Sequence, residues 1–200
     1  MLLAIEALRE AMSETGATTY EELVNAGKPV RYLGTKIQQT TPLDPQTGQG
    51  VPYESRVHGV QMAEVEVDME TGALDIIRMT AVVDAGTIIN PIVVEGQIEG
   101  GLDMGASMAL REEYVHGETK DWVTYKFPTI RNSFESNIIL VETPRIKGPE
   151  GAVGVGEFVM LPTAAAIMNA MEDATGARVQ HLPATPPKVL AALVNCRGKA

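Results

Sequence analysis

The chain is poor in the residues that build cross-linked or metal-bound folds. Its 200 residues include one cysteine, Cys196, and three histidines, and aromatics make up only 4%. One cysteine excludes a disulfide framework and any multi-cysteine zinc or iron–sulfur site built from this chain alone. A reducing cytoplasm is the compartment that such cysteine usage leads one to expect. His58, His116 and His181 stand far apart, none with a second ligand at metal spacing, so no metal ligand is read from the sequence. There is no run of Lys or Arg, and 26 acidic against 16 basic residues leave a net charge of −10. Nucleic acid and anionic membrane surfaces both require clustered positive charge and are excluded as main partners. No apolar run approaches the ~20 residues of a membrane span. Residues 1–4 are apolar, but Glu6, Arg9 and Glu10 follow at once, unlike a signal peptide.

What remains is globular in composition, with 44% apolar residues, ten Met and nineteen Gly. Residues 2–12 place Leu2, Leu3, Ile5, Leu8 and Met12 on one wide helical face. Thr19 followed three residues later by Glu22 fits a capping box that opens a second helix, with Gly27 as its stop. Residues 40–53 hold three prolines and two glycines and read as an irregular loop. Val60, Met62, Val65 and Val67 interleave with polar residues, with a slip of phase at Ala63, and a second Ile/Val-rich segment spans 73–83. The intervening METG (69–72) makes this a hairpin, with Gly72 at the position that needs positive φ. Pro91 suits the first turn of a long helix over 91–113. Short strands are expected at 122–127 and 137–142, and further helices at 162–174, ended by Gly176, and 186–195. The fold class expected is α+β, with helices and mainly antiparallel strands mixed along the chain.

Two motifs stand out against this background. In GQIEGGLDMGASMAL (96–110), Gln97, Gly101, Gly105 and Ala109 lie four apart and form one helical stripe, with Gly100 beside it. Each helical glycine costs about 1 kcal/mol relative to alanine. That cost is offset where another backbone or a flat ligand approaches closely. Gln97, at the head of the stripe, offers an amide with both donor and acceptor. Glycine-mediated helix packing with a surface glutamine accounts for the same pattern. The second motif is GPEGAVGVGE (148–157), in which glycines at 148, 151, 154 and 156 allow a tight loop with exposed N–H groups. It lacks the Gly-Lys-Ser/Thr ending of a P-loop, and Val159 stands where a dinucleotide fingerprint needs glycine. Glu157, flanked by Val155, Phe158 and Val159, is expected to be partly desolvated and so a general acid or base. The competing reading makes it a carboxylate at a helix N-terminus, satisfied by free N–H groups. Asp84, in the segment DAG, reads as a turn-capping residue, and Cys196 as incidental.

The two motifs, in this order and at this separation, resemble the molybdenum hydroxylases, the xanthine oxidase/aldehyde oxidoreductase family. The likeness extends through HGVQMAEVEVDMETGAL (58–74), VVDAGTIINPIVVEGQIEGGLDMGASMAL (82–110), GPEGAVGVGE (148–157), AAAIMNAMEDATGARV (164–179) and LPATPPKVL (182–190), and PLDPQTGQGVPY (42–53) is most similar to the bacterial aldehyde oxidoreductases. The resemblance implies that residues 1–200 are the C-terminal half of a molybdopterin-binding domain. It implies a molybdopterin cofactor, in a dinucleotide form, carrying molybdenum. Gln97 would touch the cofactor near the metal, and Ile89 and Val93 would lie along it. Val153, Gly154, Val155 and Gly156 would present backbone to it. Glu157 would be the base in a hydroxylation that adds water-derived oxygen to an aldehyde or an N-heteroaromatic substrate.

The chain is short for that family. The iron–sulfur domains, any flavin part and the upstream half of the molybdenum region have no counterpart in it, so the expected partners are those domains or subunits, together with a small-molecule substrate. It is read as a subunit of a split enzyme or a fragment, active only with the missing pieces. The alternative is an isolated, non-catalytic domain that folds but binds no cofactor without partner chains.

Overall fold

A computed structural model describes residues 1–37 and 40–197. The chain divides into two compact units, Met1–Glu54 and Ser55–Ala200. In the first, α1 (Leu2–Thr15) ends on Gly16 in the left-handed region, and α2 (Tyr20–Asn25) follows. The capping box is present: the Glu22 amide donates to Thr19 Oγ1 at 3.3 Å and the Thr19 amide to Glu22 Oε2 at 3.2 Å. Ala11, Ala17 and Leu23 make a small core with Leu8, Met12 and Tyr32. The proline-rich segment after it carries only turns among its described residues.

The second unit is built on a three-stranded sheet of order β1 (His58–Val67), β2 (Leu74–Asp84), β3 (Glu135–Val141). β1 and β2 form the expected antiparallel hairpin, with Gly72 at φ 74° in its turn and a register shift between Glu64 and Val65. The extra residue is Ile77 of β2, which lets Leu74 and Ile76 stay on the packed face, while β1 alternates without the expected slip, with Ala63, Val65 and Val67 packed and Val60 and Met62 exposed. β3 joins β2 in parallel, pairing Arg78–Asp84 with Glu135–Val141. A parallel neighbour needs a long crossover, and the chain supplies it with α3 (Pro91–Leu110). The sheet is therefore mixed, with one antiparallel and one parallel pairing.

α5 (Met160–Thr175) closes the unit by packing on both α3 and the buried face of the sheet, and α6 (Pro186–Arg197) ends it. Met79, Ala81 and Val83 of β2, Ile98, Leu102 and Ala109 of α3, and Val159, Ile167 and Met171 at α5 form one core with Val189 and Leu193 of α6. Pro162 falls inside the first turn of α5, where a missing N–H costs nothing, so the helix begins ahead of it. The segment expected as a strand at 122–127 is instead a short helix, α4 (Trp122–Tyr125). Local chemistry decides this: Asp121 accepts the Thr124 amide at 2.8 Å, Thr124 bonds back to the Asp121 amide, and Trp122 packs edge-on against Tyr125 and Phe127. Among the described residues no helix is long and apolar enough to cross a membrane.

Candidate functional site

The glycines of α3 split into two groups. A Cβ at Gly101 would stand 2.7 Å from Val159 Cβ, and one at Gly105 would stand 2.5 Å from Thr163 Cβ. These two glycines exist to seat α3 on the start of α5. Gly96 and Gly100 face open space, and a Cβ on either would meet nothing within 4 Å. Helix packing thus accounts for both glycines of the stripe and leaves Gly96 and Gly100, beside it, unexplained by the fold.

At the head of α3, Asn90 caps the helix by accepting the Val93 amide at 3.3 Å, and Pro91 takes the first turn. Ile89 and Val93 are exposed, as is Gln97 one turn on. The second motif arrives at this same place. A Cβ at Gly156 would have Gln97 Oε1 as its neighbour, 3.4 Å away, and one at Gly154 would meet nothing within 4 Å. Gln97 and Gly156 therefore share one exposed strip, continuous through Val93 along the helix, and exposed Gly154 lies two residues before Gly156. The amides of Gly154, Gly156 and Glu157 donate to no protein acceptor among the described residues. Val153 differs: it is half-buried, and its amide donates to the Ala85 carbonyl at 3.3 Å. Val155 turns its side chain into the core.

Glu157 is exposed, which corrects the expectation of a desolvated carboxylate. Its apolar neighbours do not enclose it: Val155 and Val159 point into the core and leave Glu157 on the outside. The helix-cap alternative fails as well, because α5 starts on Val159 with no side-chain cap. Among the described residues Glu157 has no hydrogen-bond or ion-pair partner. The start of α5 is held from elsewhere. Gln61 of β1 donates to the Val159 carbonyl at 2.6 Å and accepts the buried Thr163 hydroxyl at 2.8 Å.

The loops feeding the strip are tied together by Asp84 and Arg145. Asp84 accepts the amides of Gly86 at 3.1 Å and Thr143 at 3.2 Å, and pairs with Arg145 at 3.1 Å. Burial tends to push its carboxyl up, but the Gly86, Arg145 and Thr143 hydrogen bonds outweigh it and hold it below the ordinary carboxylate range. Its capping role was legible from the DAG turn; Arg145, 61 positions later, was not. No group of three or more His, Cys, Asp or Glu among the described residues could hold a metal ion.

A family model described as the molybdopterin cofactor-binding domain matches residues 3–133. The chain belongs to this molybdopterin-binding family. It is 40% identical over 198 residues to an aldehyde oxidoreductase of Megalodesulfovibrio gigas, covering 96% of this chain and 22% of the relative. The crystal structure of the aldehyde oxidoreductase from Desulfovibrio desulfuricans ATCC 27774 superposes with a TM-score of 0.88 at 39% identity, over 95% of this chain and 21% of that one. A nicotine 6-hydroxylase large subunit of Paenarthrobacter nicotinovorans is 38% identical over 136 residues, 64% of this chain and 17% of the relative. The chain thus spans about a fifth of the length of the molybdopterin-binding relatives it matches. The exposed strip suits part of such a cofactor. Bare backbone at Gly154 and Gly156, free amide donors and an unpartnered carboxamide can meet a flat, polar, anionic group at close range, and Ile89 and Val93 offer it apolar contact.

Proposed function

We propose that residues 1–200 form the C-terminal half of the molybdopterin-binding domain of a multi-domain or multi-subunit hydroxylase that oxidises an aldehyde. The observation that carries this reading is the meeting of Gln97 with Gly156, which sets both motifs on one open strip next to an unpartnered carboxylate. Gln97, Ile89 and Val93, with the backbone of Val153, Gly154, Val155 and Gly156, would hold the cofactor, in a dinucleotide form. The molybdenum centre supplies the two-electron oxidation and the water-derived oxygen. Glu157 would act through its carboxylate as the base that takes up a proton in the site, and Gln97 would orient the cofactor through its amide. The exposure of Glu157 fits a base whose desolvation comes from the segments that complete the site. The partners are the remaining molybdenum-region segments, iron–sulfur domains and a flavin part where one is used, in a reducing cytoplasm. An aldehyde is favoured over an N-heteroaromatic ring because the aldehyde oxidoreductase match extends over 96% of the chain and the nicotine hydroxylase match over 64%.

The test is Glu157→Gln in the assembled enzyme, with metal content measured beside turnover. The expected result is unchanged molybdenum loading and a loss of turnover of ~10²-fold or more, the scale of general-base catalysis. Near-normal turnover at full loading would overturn the role of Glu157. The chain purified alone is expected to hold no stoichiometric molybdenum, since it contributes only part of the site. If assembly with the remaining segments also gave no molybdenum, the non-catalytic reading would stand instead.

A further inference from the structure

We propose that the Asp84–Arg145 ion pair is a latch that positions the Glu157 loop against the head of α3, which makes both residues positioning residues for the reaction; this rests on reading Glu157 as the base. The pair sits where the two site-bearing segments leave the sheet. Asp84 is the last residue of β2, and Arg145 follows β3 by four positions. Their side chains are only 18% and 16% exposed. The Arg145 guanidinium does more than pair with Asp84. It donates to the Arg56 carbonyl through Nε at 3.2 Å and Nη2 at 3.1 Å, and to the Thr143 carbonyl through Nη1.

Below the pair lies a narrow backbone seam. The Gly151 carbonyl accepts amides from both Thr87, at 3.0 Å, and Arg145, at 3.1 Å. Gly86 bridges to Ala152, and the Val153 amide reaches Ala85. The two strands of the seam approach as only glycine permits: a Cβ at Gly86 would run into the Gly151 carbonyl, and one at Gly151 would stand 2.9 Å from Thr87 Oγ1. On one side the chain then runs through Ile88, whose amide is held by Glu142 at 3.2 Å, into the cap of α3 and on to Gln97. On the other side it leaves the seam at Val153 and reaches Glu157 four residues later. Between these points the amides of Gly154, Gly156 and Glu157 are held by no protein group among the described residues. The position of Glu157 is therefore set from three anchors, the seam on one side, the Val155 side chain buried in the core, and the buried start of α5 on the other. The latch is the charged half of the first anchor. A displacement of about 1 Å at a reacting group can cost ~10²-fold in rate, so loosening one anchor acts on turnover before it acts on the fold.

The experiment compares Arg145→Met, which keeps the apolar stem and removes the fork, with Asp84→Asn, which keeps an acceptor for Gly86 and Thr143 but removes the charge. In the full 200-residue chain, hydrogen–deuterium exchange at the bonded seam amides of Thr87, Ala152 and Val153 is expected to rise at least tenfold in both variants, with 58–84 and 160–175 unchanged. The double variant is expected to match Arg145→Met within twofold, because one latch can be opened only once. In the assembled enzyme, Arg145→Met is expected to lower kcat about tenfold or more with KM and molybdenum content little changed. Arg145→Lys, which keeps charge but not the fork, is expected to fall between wild type and Arg145→Met, and it carries the comparison if Arg145→Met does not fold. Exchange that is unchanged at Thr87, Ala152 and Val153, or that rises equally throughout the unit, would overturn the latch whatever Glu157→Gln does. Normal turnover in Glu157→Gln would overturn the base while leaving the exchange result to judge the latch.

Discussion

Gln97 and Gly156 meet across 59 residues of sequence: the side-chain oxygen of Gln97 stands 3.4 Å from the place a Cβ at residue 156 would occupy. That spacing is ordinary van der Waals contact, and Gly156 does not have positive φ. The fold therefore does not require glycine here. Gly156→Ala is expected to leave the melting temperature of the chain within a degree or two of wild type, yet to lower molybdenum content in the assembled enzyme, because a methyl group would cover bare backbone that the proposed site offers to the cofactor. Gln97→Ala is expected to lower loading as well while sparing turnover in the loaded fraction. Equal loading of Gly156→Ala and wild type would remove the strip from the cofactor site.

The helix glycines make a sharper contrast. Alanine at Gly105 would force its Cβ to 2.5 Å from Thr163 Cβ, in a core where Thr163 is fully buried and bonded to Gln61. Overpacking of this kind costs about 1–3 kcal/mol. Gly100→Ala meets nothing within 4 Å, so helix propensity decides, and the chain should gain up to about 1 kcal/mol. Urea denaturation of the two variants reads the difference directly, and a loss of stability in Gly100→Ala would show that its open face is occupied in solution.

Local chemistry made much of this fold legible in advance. Thr19 and Glu22, the METG turn with Gly72, Pro91 at the head of α3 and Gly176 past α5 each announce themselves within a few residues. What escaped depends on distance along the chain or on which way a side chain turns. The parallel pairing of β3 is a property of the crossover, not of residues 135–141. Trp122 to Phe127 looked like a strand because aromatics favour strands, but Asp121 captured the Thr124 amide first. Glu157 looked enclosed by valines in sequence, yet Val155 and Val159 turn inward and leave it outside. The assignment of α3 glycines to packing or to a ligand could be made only once Val159 and Thr163 were seen against Gly101 and Gly105.

Asp84 sets a testable acid limit. Its carboxyl lies below its ordinary value in the folded chain, because the bonds from Gly86, Arg145 and Thr143 outweigh the opposing effect of burial. A depressed carboxylate contributes stability that is present above its unfolded value, ~3.9, and is lost as pH falls through the lower folded value. The stability difference between wild type and Asp84→Asn is therefore expected to be constant above about pH 5 and to shrink steadily below pH 4. Exposed Glu22, Asp44, Asp68 and Asp121 are depressed too, by hydrogen bonds led in each case by a backbone N–H, but they titrate alike in both proteins and cancel in the difference. A difference that stayed constant to pH 2 would show that Asp84 carries no such linkage.

The last expectation concerns Ser107, on the third turn beyond Gln97. Its hydroxyl is buried and has no hydrogen-bond partner, while the residue itself is 3% exposed. A buried polar group without a partner carries its desolvation cost unreturned, about 1–3 kcal/mol. Ser107 lines a groove between α3 and the segments 125–134 and 184–187, where Met104, Met108, Phe127 and Ile130 are also exposed. In the chain alone, Ser107→Ala removes the orphaned hydroxyl, raises helix propensity and leaves little extra space, so it is expected to be neutral or stabilising by up to about 1 kcal/mol. In the assembled enzyme the sign should reverse if an incoming segment supplies the missing partner, because alanine would then leave that partner unsatisfied. Thermal unfolding of Ser107→Ala in both forms measures the two signs, and a loss of stability already in the isolated chain would show that the hydroxyl is satisfied there.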